Sequence, residues 1–364
     1  MNARPASDTP HRAVAGVVHS LPLAADLAAA LRRALLDLSE RPARIAVAIS
    51  GGADSAMLAV HAAAVARELG MDLALFHVHH GLQDAADGWA GQVRALAELL
   101  ALPVSEARVE VAQAAGKGIE AAARDARYAA LAQLAREQGV THILLAHHRN
   151  DQAETVLLRL LRGTGLAGMA AMAPVSQRDG VNYLRPWLDM SRDEILRAAE
   201  AVAAASGWRP VQDPTNADPR YTRAAVRELL APVLDARWPG WRGIVARHAR
   251  HMAEAAEILD EVAREDFAKL DPSEDGVSFS LQAWRGLSEA RQAHVLRHWL
   301  ERNGARMPTD ARMRDLLRQL RGLHSLGHDR QLRVEQAGHV IRCHQGRVWV
   351  EPRELADRGP ESRK

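Results

Sequence analysis

Short apolar runs alternate with helix-length segments through the first half of the chain. Arg44 to Ile49 is a near-continuous apolar strand, followed by a helical pattern from Ser55 to Leu69. The alternation continues with a strand over Leu73–His79, a helix over Asp87–Leu100 and a third strand over Pro103–Val111. A helix over Glu120–Gln138, a fourth strand over Thr141–Ala146 and a helix over Asp151–Leu161 complete it. Ahead of them, Leu23, Leu27, Leu31 and Leu35 recur at the spacing of one helix face. Strands unbroken by polar residues are buried on both faces, so the pattern predicts an α/β fold: a parallel sheet covered by helices. Ligands of such sheets sit beyond the carboxyl ends of the strands. Ser50, His79 and His147 fall there.

The pattern changes near Pro239. Helical stretches over Trp241–Leu270, Ser288–Asn303 and Asp310–Leu320 lead into strand-like runs at Gln331–Glu335, His339–His344 and Arg347–Val350. Ala337-Gly338 and Gln345-Gly346 read as the hairpin turns between them. The expected organisation is an N-terminal tail and helix over 1–40, an α/β domain over 41–240, a small α+β domain over 241–355 and a tail over 356–364.

The 364 residues suffice for two domains. No stretch approaches the roughly 20 apolar residues that span a bilayer, so no membrane partner is expected. His19, Pro22 and Asp26 interrupt the short apolar segment near Val17, so a cleaved signal peptide is not expected either. Cys343 is the only cysteine, which rules out an internal disulfide and fits a reducing cytoplasm. It also argues against chemistry that needs paired cysteines, and a small buried strand residue is the simplest reading of it. The formal net charge is only +2, but Arg291–Val350 holds 12 Lys+Arg against 5 Asp+Glu, while Trp241–Ala290 holds 6 against 10. A locally basic region suggests a polyanion partner, and Arg314, Arg318 and Arg321 share one helix face. The sequence leaves a homodimer open.

The chemistry begins at Ser50-Gly51-Gly52-Ala53-Asp54-Ser55, directly after the first strand. Glycines let backbone N–H groups approach phosphate oxygens, and the N-terminus of the following helix favours negative charge. The lysine of the G-x-x-x-x-G-K-[ST] loop is missing, and Asp54 puts a carboxylate beside the expected phosphates. That arrangement makes sense with Mg²⁺ between them. The plainer reading is a tight glycine turn.

Further segments carry candidates. His77, His79 and His80 end the second strand, where a nucleotide contact is weighed against a metal. Arg124 and Arg127 share a helix face; spacing alone favours a surface Glu120–Arg124 ion pair over a phosphate contact. Asp151 and Glu154 lie one turn apart after the fourth strand. They read as a helix cap, with Asp151 at the N-cap and Glu154 closing the box, and equally as a carboxylate pair for Mg²⁺ or an amino group. The polar segment Asp213–Arg223 precedes a helix carrying Arg227.

The SGG-x-DS turn resembles the signature of the PP-loop ATP pyrophosphatases, which cleave ATP to AMP and pyrophosphate. SGGADS, HVHHGL, EAAARDARY, AHHRNDQAET, RGTGLAGMAAM, RPWLDMSRDEI and QDPTNADPRYTR together resemble, in order, the tRNA(Ile)-lysidine synthetase family over roughly Arg44 to Trp238. The C-terminal IRCHQGRVWV strands are similar to that family's small domain. The resemblance implies an adenine-nucleotide α-hydrolase-like (PP-loop) domain followed by a small α+β domain. It implies that ATP adenylates the 2-carbonyl oxygen of the wobble cytidine of a CAU-anticodon tRNA(Ile), and that free L-lysine then displaces AMP. Carried over by residue, Ser50, Gly51, Gly52, Ala53, Asp54 and Ser55 bind ATP with His79 nearby, and Asp54 holds Mg²⁺. Arg124 contacts phosphate or the adenylated base, Arg223 acts near the reacting groups or the tRNA, and Asp151 and Glu154 hold the lysine ammonium; apart from the resemblance, the basic helix face makes Arg314 and Arg318 the candidate tRNA contacts. Many relatives have Asp-Asp where this chain has Asn150-Asp151, and Asn where it has Ala224. Some carry a second C-terminal domain.

Two other readings compete. A PP-loop tRNA 2-thiolase uses cysteines, which a lone Cys343 does not supply. A non-catalytic RNA-binding protein accounts for the basic helix face, but not for Asp54 or the Asp151/Glu154 pair.

Overall fold

In the computed structural model, residues 21–79, 86–109, 119–212, 218–323 and 332–356 are described. His80-Gly81-Leu82 and the stretch 213–217, both singled out in the sequence, lie outside them, as does the Glu120 side chain. The chain forms two compact units that divide between Met252 and Ala253.

The first unit is built on a six-stranded sheet. Its strands are β1 (Arg44–Ile49), β2 (Asp72–His79), β3 (Val104–Arg108), β4 (His142–Leu144), β5 (Val175–Arg178) and β6 (Val181–Leu184). Their spatial order is β3-β2-β1-β4-β6-β5, with every neighbouring pair parallel except β5 with β6. Side chains alternate between the faces as strand geometry requires. Ile45, Val47, Leu73 and Leu75 join one apolar cluster, while Ala46, Ala74, Phe76 and Val78 join the other. Helices α1 (Ala25–Leu36), α2 (Ala53–Glu68) and α3 (Ala86–Leu100) contribute to the first cluster. Helix α4 (Ile119–Glu137) covers the opposite face through Tyr128, Leu131, Leu134 and Ala135. This is the two-sided covering that the apolar strands predict.

Helix α2 is buried almost all round, from Ser55 to Ala66. His61 lies inside it with no exposed surface; its Nε2 accepts from the Ala24 N–H at 3.0 Å, and Nδ1–H donates to the Met57 carbonyl at 2.8 Å. The start of α1 is thereby fastened to the central helix. Leu27, Leu31 and Leu35 are buried as the spacing predicts, whereas Leu23 stays exposed ahead of the helix.

The hairpin β5–β6 is absent from the sequence reading. Val-Ser-Gln-Arg is too short and polar to stand out, and Val-Asn-Tyr-Leu is too short. The signal was the turn between them: Asp179 and Gly180 both have positive φ, 52° and 81°, as a two-residue hairpin demands.

Downstream, α5 (Arg149–Leu161) follows β4, and α6 (Leu166–Met169) occupies the glycine-rich turn beyond it. Helix α7 (Arg192–Ser206) packs into the first apolar cluster. Helix α8 (Thr222–Ala225) runs through a π-helical turn at Val226–Leu230 into α9 (Ala231–Arg237). The long α10 (Trp241–Ala268) holds the division between the units.

The second unit carries an antiparallel sheet of β7 (Ser278–Ser280), β8 (Leu332–Gln336), β9 (His339–His344) and β10 (Arg347–Pro352), in the order β7-β10-β9-β8. Helices α11 (Leu281–Arg285), α12 (Glu289–Arg302) and α13 (Asp310–Gly322) pack on it around Trp284, Trp299, Phe279 and Leu320. Both expected hairpin turns form, with positive φ at Ala337, Gly338, Gln345 and Gly346. Cys343 is buried in β9, and burial pushes its thiol above the ordinary range.

Candidate active site

The turn after β1 is held by its own serines. Ser55 Oγ accepts the Ser50 N–H at 3.1 Å, lies 3.1 Å from Ser50 Oγ and donates to the Gly52 carbonyl at 3.2 Å. Gly51 has φ +88°, and a Cβ there would stand 3.2 Å from Val211 Cγ2 and 3.4 Å from Val93 Cγ2. Its carbonyl accepts the Val211 N–H at 2.9 Å. Gly52 is the N-cap of α2 without a side-chain partner for the first turn, so Ala53 and Asp54 open a helix whose terminal N–H groups stay available to an anion.

Asp54 meets residues brought in from the starts of the Arg149–Leu161 helix α5 and of α7. His148 Nε2 lies 3.7 Å and Arg192 Nε 3.9 Å from Asp54 Oδ1. Burial would raise the Asp54 pKa, but His148, Arg192 and Arg227 outweigh it and hold the carboxyl below its usual value. Asp54 is therefore a carboxylate at neutral pH. Its Oδ1 is shut off from solvent while the side chain as a whole is 31% exposed, which leaves Oδ2 as the open oxygen.

His148, rather than Asp151, caps α5. Its Nδ1 accepts the Asp151 N–H at 3.3 Å, and its backbone N–H donates to Asp151 Oδ2 at 3.1 Å. The expected Asp151–Glu154 box is thus shifted by one turn: Asp151 occupies the third helical position, where it closes a box with His148. The sequence reading missed His148 because imidazole ranks low among cap side chains. The available signal was the His-x-x-Asp spacing across a strand-to-helix junction. Asn150 has a defined job as well: its Oδ1 accepts the Arg192 N–H at 3.3 Å, strapping the start of α7 to the start of α5.

Glu154, 5% exposed, does not face open solvent beside Asp151. Arg227 from the π-helical turn holds it. Burial first, then the Asp151 charge, push its pKa up, and Arg227 partly offsets them. Arg223, one turn earlier, donates to Thr155 Oγ1 at 3.0 Å, so both arginines fasten the segment 222–230 onto α5. Arg124 is exposed, with its guanidinium 5.6 Å from the Tyr128 ring centre. Burial lowers the Arg159 pKa, and Arg124 and Arg223 lower it further, which marks a concentration of positive charge beside α5. Arg159 itself is spent on the Gly168 and Ala171 carbonyls of the glycine-rich turn.

At the end of β2, His77 Nδ1–H donates to the Ile49 carbonyl at 2.8 Å, and His79 is half-buried beside it. Among the described residues no group of three or more His, Cys, Asp or Glu is arranged to hold a metal. A single carboxylate oxygen such as Asp54 Oδ2 does suit Mg²⁺, which keeps its waters and takes phosphate oxygens as further ligands.

The first unit therefore collects Ser50–Ser55, Asp151, Glu154 and Arg223 around the carboxyl end of β1, and adds His148, Arg192 and Arg227. Arg314 and Arg318 lie on α13 of the second unit, exposed, each beside an acid on its own helix: Asp310 at 2.7 Å and Asp315. Arg321 leaves that face, donating to Gln292 Oε1 at 2.7 Å.

Comparison with known proteins agrees with this geometry. The PP-loop domain family matches residues 24–234, and the TilS substrate binding domain matches residues 279–349. A tRNA(Ile)-lysidine synthase from Bordetella parapertussis is 69% identical over 89% of this chain and 95% of its own length. The chain belongs to the tRNA(Ile)-lysidine synthase family. A Ralstonia nicotianae member of the family is 43% identical over 87% of this chain and 66% of its own, so some members are longer. Among solved structures, the U34-tRNA thiolase NcsA from Methanococcus maripaludis aligns with TM-score 0.52 at 16% identity, over 63% of this chain and 78% of that one. At that identity the likeness is one of fold. Membership of the tRNA(Ile)-lysidine synthase family accounts for a mostly parallel sheet followed by a small antiparallel one.

Proposed function

We propose that the protein joins free L-lysine to the wobble cytidine of a CAU-anticodon tRNA(Ile) at the expense of ATP. The observation that carries this reading is the meeting of Asp54 and Asp151 through one imidazole at the carboxyl edge of the sheet. It puts the glycine turn and a second carboxylate side by side, which supports a nucleotide and an amine meeting there. Family membership supports the same substrates.

In the first step the cytidine O2 attacks the α-phosphorus of ATP, and pyrophosphate leaves. The N-terminal N–H groups of α2 bind the phosphates, and the exposed Asp54 Oδ2 faces them. Asp54 would hold Mg²⁺, which would supply positive charge for the phosphates as pyrophosphate leaves. Arg124 and Arg223 contribute positive charge from α4 and α8 toward the phosphates. In the second step the lysine ε-ammonium gives a proton to water, the neutral ε-nitrogen attacks C2, and the C2–O2 bond breaks, AMP leaving with the oxygen and the bonding pair. Asp151 and Glu154 supply the negative charge that holds the lysine ammonium before it gives up its proton, with Arg227 remaining on Glu154. Adenylation turns a poor leaving oxygen into a good one, so no protein nucleophile is needed, and the buried Cys343 is not asked to act. Arg314 and Arg318 serve as phosphate contacts for the tRNA. No described helix is long and apolar enough to cross a membrane; the substrates place the reaction in the cytoplasm.

The test is labelled lysine with CAU-anticodon tRNA and ATP–Mg²⁺. One AMP should form per lysine incorporated, and Asp54→Ala should abolish both. AMP formation without lysine incorporation would sink the ligase reading. Undiminished incorporation by Asp54→Ala would remove the turn from the mechanism.

A further inference from the structure

We propose that His148 is a positioning residue that fixes the Asp54 carboxylate, so that Oδ2 alone is presented to the nucleotide's cation. The inference rests on the reading of Asp54 as the residue facing Mg²⁺ and ATP.

The first argument is the tautomer. His148 Nδ1 accepts the Asp151 N–H at 3.3 Å. A ring nitrogen that accepts an N–H carries no proton, so the neutral imidazole bears its hydrogen on Nε2. That nitrogen is the one 3.7 Å from Asp54 Oδ1. The helix cap therefore decides which way the ring donates, and it donates toward the nucleotide turn. Closing this gap by a few tenths of an ångström makes a hydrogen bond.

The second argument is the rigidity of the mount. His148 is 2% exposed and paired with Trp187 in an isolated parallel bridge. The neighbouring Arg149 N–H donates to the Met190 carbonyl at 2.9 Å, and Asn150 Oδ1 takes the Arg192 N–H. Both groups aimed at Asp54 Oδ1, the His148 ring and the Arg192 guanidinium, thus come from segments strapped to each other. Their common target is closed to solvent. Oδ1 has no hydrogen bond as it stands, with its two facing donors 3.7 and 3.9 Å away; the shortening that lets the imidazole hold it would fix the direction in which Oδ2 is offered to a cation of near-octahedral demands.

The third argument is the choice of side chain. A cap needs only one acceptor, and Ser, Asp or Asn supplies it better than histidine. The imidazole adds a second nitrogen on the far side of the ring, where Asp54 stands. A role in capping alone leaves that nitrogen unexplained.

Two substitutions separate the roles. In His148→Asn the short amide keeps an acceptor near the Nδ1 position and caps α5, but nothing reaches Asp54. In His148→Gln the longer amide places a donor near the Nε2 position and gives up the cap. ATP binding is measured by calorimetry with and without Mg²⁺, and thermal midpoints are recorded for both variants. We expect His148→Asn to melt near the parent yet lose at least tenfold of the Mg²⁺-dependent gain in ATP affinity, with metal-free binding unchanged. His148→Gln should melt lower and retain most of that gain. A full gain in His148→Asn overturns the proposal and leaves His148 as a cap. A full gain in Asp54→Ala overturns the assignment of the cation to Asp54 instead, so the two failures are told apart.

Discussion

Arg227 grips the buried Glu154 with both arms of its guanidinium, Nε to Oε1 at 3.0 Å and Nη2 to Oε2 at 2.9 Å. The pair joins the π-helical turn to α5 across 73 residues of sequence. Removing one partner of a buried pair strands a charge, at a cost of about 3–5 kcal/mol. Arg227→Ala should lower the unfolding free energy by that order. Glu154→Gln in the same chain should recover part of it, because the stranded carboxylate is gone. In denaturant titrations, a double variant whose loss equals the sum of the losses of Arg227→Ala and Glu154→Gln alone would show that the pair carries no coupling.

Gly51→Ala tests the nucleotide turn. A left-handed backbone costs a residue with a side chain about 1–2 kcal/mol, and the new methyl would press on Val211 at 3.2 Å. The thermal midpoint should fall, and ATP affinity should fall more than the midpoint alone explains, since the N–H groups of the turn would be re-aimed. Calorimetric ATP binding equal to the parent would mean that the turn's geometry does not matter.

Much of this turn was legible beforehand, because Gly-Gly between an apolar strand and a helix admits few conformations. The long-range pairings were not. His148 and Asp54 are neighbours only because β4 lies beside β1 in the sheet, an order no local pattern states. Asp151 was assigned the cap because side-chain preference favours carboxylates, and the tertiary anchoring of His148 prevailed. Arg227 showed as a helix residue of no declared purpose until the π-helical turn brought it against Glu154. The β5–β6 hairpin hid because each strand has four residues and only β5, at the sheet edge, is polar. Arg321 looked equivalent to Arg314 and Arg318 by periodicity, yet Gln292 on α12 claims it.

Acid should weaken the fold above the usual carboxylate range. Burial pulls His61, His77 and His142 below the ordinary histidine value of 6.5. Below pH 6.5 the unfolded chain then binds more protons than the folded one, so stability falls as pH falls, by up to about 1.4 kcal/mol per pH unit for each such group. His148 works in the opposite sense. Burial lowers its pKa, but Asp54 and Asp151 raise it further, so its contribution is complete below 6.5 and fades as pH rises through its folded value. His147, which burial pulls down to about 3, acts in the same sense, so among the described residues four groups against one give a net loss between pH 7.5 and 5.5. His61→Gln should flatten that loss in denaturant titrations at the two pH values; an unchanged slope would clear His61 of the effect.

Salt should report on the second unit. Arg314 and Arg318 are exposed, with side chains 74% and 79% accessible, and their acidic neighbours hold them only loosely in water. If they contact phosphates, Arg314→Ala with Arg318→Ala should reduce the slope of log affinity against log salt for tRNA by about two, one per contact. Arg321→Ala should instead lower the melting temperature, because its guanidinium ties α13 to α12. A slope insensitive to the double change would move the tRNA contact elsewhere.

The hydrogen bond from the Val211 N–H to the Gly51 carbonyl sets a timetable. Synthesis runs from the N-terminus, so the SGGADS segment leaves the ribosome long before the residue that locks it. Strand β1 also waits for β4 on one side, and Asp54 waits for His148 and Arg192. A nascent chain halted at Leu161 holds the whole signature and lacks the clasp. The full set of contacts around the turn therefore forms only after Val211 has been made.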